Sequence, residues 1–162
     1  MIRRVKTEDA GAIAAIYNEY VTNSVVTFDI EPVGVEEMQL RIVSVASAYP
    51  YFVYEKEGRL VGYCYAHAWK EKAAYRHTLE TTIYLSPDVR GEGIGRLLME
   101  RLIDECRKLG HRALIACITE GNETSCIFHE QLGFKPVSHF EKVGFKFGRH
   151  LDVIDYELLL FP

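Results

Sequence analysis

The chain has 162 residues, of which 48% are hydrophobic and 26% are charged, and its formal net charge is −4 at pH 7. These values are typical of one folded domain and exclude a disordered chain, while the negative charge argues against a general nucleic-acid-binding protein. No apolar run approaches the ~20 residues of a membrane-spanning helix, and residues 1–9 lack the apolar core of a signal peptide. We therefore expect a single soluble domain over residues 1–162, located in the cytoplasm, with neither nucleic acid nor membrane as a partner.

The first half of the chain predicts a short strand, two helices and three strands. The strand covers residues 2–6, and the helices follow from apolar residues at helical spacing: Ile13, Ile16, Tyr17 and Tyr20, then Val35, Met38, Ile42, Val45 and Tyr49. Pro50 follows the second helix as a stop signal. Residues 51–55 and 60–69 flank a turn of the type found in hairpins, and residues 75–85 form a third strand that ends at Ser86-Pro87.

The second half predicts two helices and three strands. A long helix has one apolar face, formed by Ile94, Leu97, Leu98, Leu102, Cys106 and Leu109, with Gly110 as its C-terminal cap. Residues 113–118 are almost wholly apolar, so we expect a strand that is covered on both faces. Asn122 is placed to cap a helix over residues 123–132, which Gly133 ends. Strands at residues 137–145 and 151–160 close the chain.

The resulting order, β-α-α-β-β-β-α-β-α-β-β, predicts an α/β (α+β) fold with one mixed sheet and helices on both faces. The spacing of the four cysteines matches neither a zinc site nor a redox pair. We expect reduced, structural cysteines and no metal ion, since the histidines also lack metal-ligand spacing.

Three alternate glycines lie between a predicted strand and the long helix. Gly91, Gly93 and Gly95 permit positive φ angles and close approach of a ligand to the backbone. The first turn of a helix offers free N–H groups and a partial positive charge, and Arg90 and Arg96 add cationic donors. The segment therefore predicts an anion cradle for which a pyrophosphate is the natural guest.

Two known phosphate-binding motifs fit this segment poorly. A nucleotide P-loop needs Gly-Lys-Ser/Thr after the glycines, and none follows. A dinucleotide fold needs its third glycine where Arg96 stands, and an acidic residue about 20 positions later, where the apolar residues 113–116 lie. A structural glycine turn without a ligand remains the alternative.

Two signatures in the right order resemble those of the GNAT superfamily of N-acetyltransferases. The first is Arg90-x-x-Gly93-x-Gly95 after a strand, and the second is residues 122–134, which begin with Asn122 and end in Gly133-Phe134. The resemblance narrows to the phosphinothricin and methionine sulfoximine acetyltransferases at residues 17–18, 26–28, 31–32, 75–87 and 143–152. It implies a mostly antiparallel sheet whose two central strands splay apart around acetyl-CoA.

The resemblance also assigns the acetyl-CoA contacts. The pyrophosphate would be held by the loop residues Arg90, Gly91, Glu92, Gly93, Ile94, Gly95 and Arg96. The pantetheine arm would pair with the backbone of Ile83, Tyr84 and Leu85, as a peptide pairs with a sheet edge. Asn122 would contact that arm near its acetyl end, and Ser125 belongs to the same cofactor site.

Acetyl transfer to an amine requires removal of a proton from the ammonium group and stabilisation of the departing thiolate. The resemblance implies Glu80 as the base, although a glutamate on a strand is commonly solvated or ion-paired. His129 stands where many relatives have a tyrosine that is thought to protonate the thiolate, and a histidine can donate a proton near neutral pH. A solvent-facing His129 and proton donation by Tyr84 remain alternatives.

The acceptor pocket is less clearly marked. Phe28 belongs to it by position in the family pattern, or else to the core. Arg76 is suited to grip the carboxylate of an amino acid with two hydrogen bonds, and Lys72 and Tyr75 are further candidates. Lys146 and Arg149 either border the same pocket or are exposed turn charges.

Three functions are consistent with these features. The first is acetylation of the α-amino group of phosphinothricin, methionine sulfoximine or a similar small amino acid, by direct attack on the thioester. The second is acetylation of another amine, such as a peptide N-terminus or a polyamine. The third is a non-catalytic module that binds acetyl-CoA. The resemblance also implies a homodimer, built through the C-terminal strands.

Overall fold

The computed structural model describes residues 1–162, which form seven strands and four α-helices. The strands are β1 (Ile2–Arg4), β2 (Tyr51–Lys56), β3 (Arg59–Ala68), β4 (Thr78–Leu85), β5 (Ala113–Thr119), β6 (Lys135–Lys146) and β7 (Arg149–Leu159). The helices are α1 (Ala10–Asn23), α2 (Val35–Ala46), α3 (Ile94–Lys108) and α4 (Glu123–Gln131). This order of elements confirms the order predicted from the sequence. No helix is long and apolar enough to cross a membrane.

All seven strands belong to one sheet, in the order β1-β2-β3-β4-β5-β7-β6. Neighbouring strands are antiparallel except β4 and β5, which run parallel. The predicted mixed, mostly antiparallel sheet is therefore confirmed. The third predicted strand begins later than expected, at Thr78, because Ala73–Tyr75 forms a turn of 3₁₀-helix.

The helices cover both faces of the sheet, as predicted. On one face α3 and α4 cover a core in which Leu98, Met99 and Leu102 are fully buried. On the other face α1 and α2 cover a second core around Ile13, Ile42 and other apolar residues. Full burial of each such side chain contributes roughly 1.5–3 kcal/mol, so the apolar periodicity of the helices decides which way they face.

The ends of α3 and α4 follow from local sequence. Gly110 has a φ of +83°, the left-handed conformation that ends a helix, and Leu109 precedes it. The Asn122 side chain accepts a hydrogen bond of 3.4 Å from the backbone N–H of Ser125 and so caps α4. Both predicted caps are confirmed. The predicted apolar face of α3 is too wide, since Leu97 and Leu109 are about half exposed.

The sheet opens between its two parallel strands. The β4–β5 ladder contains only three residue pairs and ends at Glu80 opposite Ile115. Beyond that point β4 remains paired with β3, and β5 remains paired with β7. The two central strands therefore splay apart, as the resemblance implied.

The prediction that β5 is covered on both faces is wrong at one residue. Cys117 is exposed, although its neighbours Ala116 and Ile118 are buried. Cys117 lies two residues beyond Ile115, the last residue of β5 that pairs with β4, and so stands where the central strands have parted.

Candidate active site

A cavity of about 280 Å³ occupies the gap between β4 and β5. Its walls come from five places: residues 26–28 of the α1–α2 connection, residues 80–84 of β4, residues 116–119 of β5, Val153 of β7, and one side of α4 with its cap. The predicted residues that line it are Phe28, Glu80, Ile83, Tyr84, Asn122, Ser125 and His129. The structure thus brings the two predicted catalytic residues, four predicted cofactor residues and one predicted acceptor residue together around a single opening in the sheet.

The glycine-rich loop lies at the N-terminus of α3 and presents free backbone donors. None of the backbone N–H groups of residues 91–96 donates a hydrogen bond within the chain, and the first bonded amide of the helix is that of Leu97, to Gly93. Gly91 and Gly93 both have a φ of +81°, which a residue with a side chain adopts only at a cost. Successive free N–H groups at a helix start form an anion site, and a pyrophosphate fits them.

Gly95 serves a different purpose in the same loop. A Cβ atom on Gly95 would lie 3.3 Å from Cδ1 of Leu85 and 3.5 Å from Cε2 of Phe128. The absence of a side chain therefore lets α3 approach both the end of β4 and helix α4. Ile94 is buried beside it, so only its N–H group is available to a ligand.

The charged side chains of the loop are engaged with the protein itself. Arg90 donates a 3.0 Å hydrogen bond to the hydroxyl of Tyr20, and its guanidinium lies 5.3 Å from the centre of that ring. Arg96 pairs with Glu100 at 2.8 Å, and Glu92 pairs with Lys56 at 2.6 Å. Both arginines thus have partners within the chain, whereas the amides of residues 91–96 have none.

Tyr20 is a part of this site that the sequence did not reveal. Its hydroxyl donates to the carbonyl of Leu85 while it accepts from Arg90, so α1 fastens the end of β4 to the loop. The three residues are separated by up to 70 positions, and no local pattern connects them.

Asn122, Ser125 and His129 lie along one side of α4 and face the cavity. The ring Nδ1 of His129 lies 2.8 Å from the carbonyl oxygen of Ser125 and 3.3 Å from its hydroxyl. Because a carbonyl only accepts, Nδ1 carries a proton, and the neutral ring therefore leaves a lone pair on Nε2. No group of the chain hydrogen-bonds to that Nε2.

His129 is 4% exposed, so the alternative in which it faces solvent is wrong. Its ring packs edge-on against Phe128 and Phe134. Burial lowers the pKa of His129 below its usual value, and the Ser125 carbonyl offsets this only in part. The ring is therefore neutral at neutral pH, with Nε2 as a proton acceptor at the cavity.

Glu80 lies where the β4–β5 ladder ends and lines the cavity. Its side chain is 27% exposed, and Oε1 lies 4.0 Å from Nε2 of His67 on the neighbouring strand β3. Across the gap, the Cys117 thiol lies close to both Glu80 and Asp155. Although the residue as a whole is exposed, desolvation of the thiol in the cleft and then these two carboxyl groups raise its pKa. Cys117 therefore remains a neutral thiol beside the carboxylate.

Tyr84 is enclosed by other tyrosines. Its ring lies 5.3 Å from that of Tyr17, 5.1 Å from that of Tyr20 and 5.7 Å from that of Tyr63, measured between centroids. Burial raises the pKa of Tyr84, so its hydroxyl keeps its proton. It can donate a hydrogen bond into the cavity as a neutral group.

Phe28 lines the cavity and is 40% exposed, so the alternative that places it in the core is wrong. Its ring lies on Gly144 of β6, where an added Cβ would be 2.3 Å from Cζ. Lys146 of the same strand is buried and donates a 2.9 Å hydrogen bond to the carbonyl of Thr27. The C-terminal hairpin therefore holds the α1–α2 connection in place, a role that neither alternative for Lys146 foresaw. Arg149 is exposed.

The three remaining acceptor candidates lie outside the cavity. Lys72, Tyr75 and Arg76 are exposed in the connection between β3 and β4, and none lines the opening. The Arg76 guanidinium contacts the carbonyl of Ala73 at 3.4 Å, and Tyr75 packs on Trp69. These three residues precede β4, which starts at Thr78, and their role in binding the acceptor stays a prediction.

No group of three or more His, Cys, Asp or Glu side chains is arranged to hold a metal ion.

Comparison with known proteins places this architecture in a family. The acetyltransferase (GNAT) domain profile matches residues 2–154. The chain is 39% identical to a phosphinothricin N-acetyltransferase of Alcaligenes faecalis, over 94% of this chain and 79% of that protein. It is 33% identical to an L-methionine sulfoximine/L-methionine sulfone acetyltransferase of Salmonella typhimurium, over 98% and 93% of the two chains.

A solved structure shows the same fold. It is a GNAT superfamily phosphinothricin acetyltransferase of Sinorhizobium meliloti in complex with acetyl-CoA, with a TM-score of 0.94 and 37% identity over 98% of this chain and 87% of that one. The chain belongs to the GNAT family of acetyltransferases. It is accordingly an N-acetyltransferase that uses acetyl-CoA, and the free amides of residues 91–96 and the opened edge of β4 fit that molecule.

Proposed function

We propose that the enzyme transfers the acetyl group of acetyl-CoA to the α-amino group of a small amino acid of the phosphinothricin or methionine sulfoximine type. One observation carries the proposal: the cavity in the split sheet places Glu80, His129 and Phe28 around one space of about 280 Å³. That volume suits a small amine together with the reactive end of acetyl-CoA, rather than a folded protein substrate. The similarity to relatives named for these two substrates supports the acceptor class.

Glu80 acts as the base for the acceptor. An alkyl ammonium group has a pKa near 10, so at neutral pH it must lose a proton before its nitrogen can attack. Glu80 is the last residue of β4 that pairs with β5, so it lies where the central strands part and where the cavity begins. It takes the proton directly or through one water molecule, and the neutral amine attacks the thioester without a covalent enzyme intermediate.

His129 moves the second proton. The attacking nitrogen releases a proton as the new bond forms, and the departing sulfur needs one. Neutral His129 accepts at Nε2 and returns the proton to the sulfur, while Nδ1 stays bonded to the Ser125 carbonyl at 2.8 Å. Tyr84 contributes a neutral hydroxyl that stabilises the developing negative charge.

The acceptor is positioned by the α1–α2 connection. Phe28 forms the apolar wall, and its ring is fixed by Gly144 and by the Lys146 bond to Thr27. This arrangement makes the hairpin β6–β7 part of the acceptor site, although it lies far from Phe28 in sequence.

We also propose that the enzyme is a homodimer whose contact includes the β6–β7 hairpin. Phe140, Val143, Phe145 and Phe147 are each at least half exposed there, which is a large apolar surface for a free hairpin. Light scattering should give twice the monomer mass, and charged substitutions at Val143 and Phe145 should shift the protein to monomer. A monomer at micromolar concentration would contradict this proposal.

The proposed reaction is tested by following free CoA with a thiol-reactive dye. Purified enzyme and acetyl-CoA are mixed with phosphinothricin, methionine sulfoximine, ordinary amino acids, polyamines or short peptides. We expect saturable release with the first two acceptors and loss of it in Glu80→Gln. If CoA were released only with polyamines or peptides, the protein would still be an N-acetyltransferase, but the proposed amino-acid acceptor would be wrong. Tight acetyl-CoA binding without release for any acceptor would indicate a non-catalytic module.

A further inference from the structure

His67 faces Glu80 from the neighbouring strand and has no role in the proposed reaction so far. The two residues are paired across β3 and β4, and Nε2 of His67 lies 4.0 Å from Oε1 of Glu80. A movement of either side chain by about 1 Å would bring the two atoms within hydrogen-bonding distance. Both side chains are partly accessible, at 35% for His67 and 27% for Glu80, so water can reach each of them.

The pair connects two separate openings in the surface. Glu80 lines the cavity in the split sheet, whereas His67 lines an open groove of about 940 Å³ between α2 and the end of β3. The other charged or titratable groups of that groove come from α2 and from the neighbouring chain segments: Glu36, Glu37, Arg41, Tyr49 and Tyr65. Arg41 is held by Glu37 and Asp29, and His67 is the groove residue that pairs with Glu80 across the two strands.

A hydrogen bond to the next residue determines which ring nitrogen of His67 carries the proton. Nδ1 lies 3.0 Å from the carbonyl oxygen of Ala68, which can only accept, so Nδ1 carries a proton. In the neutral ring, the lone pair is therefore on Nε2, the atom that faces Glu80.

A second exit for a proton from Glu80 would lead across β5. Cys117 and Asp155 are paired across β5 and β7, and Asp155 also accepts a 3.0 Å hydrogen bond from Ser138. Burial and the nearby carboxylates raise the pKa of the Cys117 thiol. A thiol that resists losing its proton is a poor proton relay, so the route through His67 is favoured over the route through Cys117.

We propose that His67 is a positioning and relay residue that returns Glu80 to its carboxylate form by passing the acceptor's proton into the groove beneath α2. The acceptor ammonium gives one proton to Glu80 and becomes a neutral amine. The carboxyl group then protonates Nε2 of His67, and the imidazolium loses that proton to water in the groove. The inference rests on the proposed function, since it requires Glu80 to act as the base.

The test compares His67→Gln with a matched histidine substitution. His77→Gln changes an exposed histidine that lines neither opening. We expect His67→Gln to lower kcat by about tenfold, less than the 10²–10⁴ of direct acid–base catalysis, with the KM of both substrates unchanged. His77→Gln should keep the wild-type kcat.

Chemical rescue separates a relay from a structural role. Added imidazole should raise the kcat of His67→Ala several-fold and leave Glu80→Gln and His77→Gln unaffected. Retention of the wild-type kcat in His67→Gln, or absence of rescue in a folded His67→Ala that binds acetyl-CoA, would overturn the relay. A larger loss in Asp155→Asn than in His67→Gln would place the exit across β5 instead. Wild-type enzyme that releases no CoA with any amine would overturn the proposed function itself and the relay with it, whereas the other outcomes leave the proposed function intact.

Discussion

The active site extends from the loop at the start of α3 to the cavity in the split sheet, and its two ends are built by different means. The acetyl-CoA end is a stretch of backbone, in which residues 91–96 present free amides at the start of α3. The acceptor end is a set of side chains from distant segments, with Phe28 resting on Gly144 and Glu80 facing His67. A ligand held by backbone amides is insensitive to most side-chain substitutions but depends on the backbone conformations that glycine permits. A ligand held by side chains is sensitive to the loss or displacement of any one of them. Substitutions should therefore separate the two ends cleanly.

The largest expected effect is at the acceptor end, from Glu80→Gln. The amide keeps the shape of the side chain but cannot take the proton of the ammonium group. We expect kcat/KM for the acceptor to fall by about 10²–10⁴-fold, with acetyl-CoA affinity unchanged within twofold. Steady-state CoA release and calorimetric titration of acetyl-CoA measure the two quantities. If acetyl-CoA affinity fell as much as kcat/KM, the prediction that the two ends bind their ligands independently would be wrong.

The next effect is at the acetyl-CoA end, from Gly93→Ala. Gly93 has a φ of +81°, and its Cβ position is open space, so the substitution adds backbone strain without a clash. Left-handed strain of about 1–2 kcal/mol should distort the loop and weaken acetyl-CoA binding by about tenfold, with the KM of the acceptor unchanged.

Gly58→Ala is the matched control for this change. Gly58 lies in the β2–β3 turn with a φ of +77° and equally open surroundings. It should lower thermal stability by a similar amount and leave acetyl-CoA affinity at the wild-type value. Equal losses of affinity in the two variants would show that the loop does not bind through its backbone.

Gly144→Ala should affect the acceptor end alone. The added Cβ would lie 2.3 Å from Cζ of Phe28, so the ring must move. We expect the KM of the acceptor to rise several-fold, while acetyl-CoA affinity stays constant. Gly11→Ala, at a helical position without neighbours within 4 Å, is the control and should leave both constants unchanged. An unchanged acceptor KM in Gly144→Ala would place the acceptor away from Phe28.

The smallest effect concerns the stability of the fold against acid. Burial lowers the pKa of His129 in the folded protein, so the unfolded chain binds this proton first as the pH falls. The free energy of unfolding should therefore decline as the pH drops from about 6.5 through the lower folded-state pKa, and level off below it. Urea titrations of wild type and His129→Gln should show a shallower decline in the variant. Parallel curves would contradict a buried, neutral His129.

The same contrast explains what the sequence could predict. Residues 90–96 and 122–134 are contiguous, so the cradle, the cap at Asn122 and the order of elements follow from local patterns. In these parts of the fold, local sequence determines local conformation. The roles of Phe28, Glu80 and His129, which all line the cavity, are predicted from the resemblance to a family instead.

The remainder depends on contacts across long stretches of chain. The bond from Lys146 to Thr27 joins residues 119 positions apart, and the bond from Arg90 to Tyr20 joins residues 70 positions apart. Neither leaves a periodic signal. Arg76 is predicted as an acceptor contact from the chemistry of its side chain, and it follows the 3₁₀ turn at Ala73–Tyr75 outside the lining of the cavity. Cys117 is exposed where the central strands part, and the pattern of β5 does not encode that point.

The most direct test of the central claim is to identify the product rather than the released CoA. Wild-type enzyme, acetyl-CoA and methionine sulfoximine are incubated, and the acetylated product is quantified by mass spectrometry and located by NMR. We predict one acetyl group on the α-nitrogen, formed in equal amount to free CoA and absent in Glu80→Gln. Release of CoA without an N-acetylated product, or undiminished product in Glu80→Gln, would contradict the assignment of this cavity as the site of acetyl transfer.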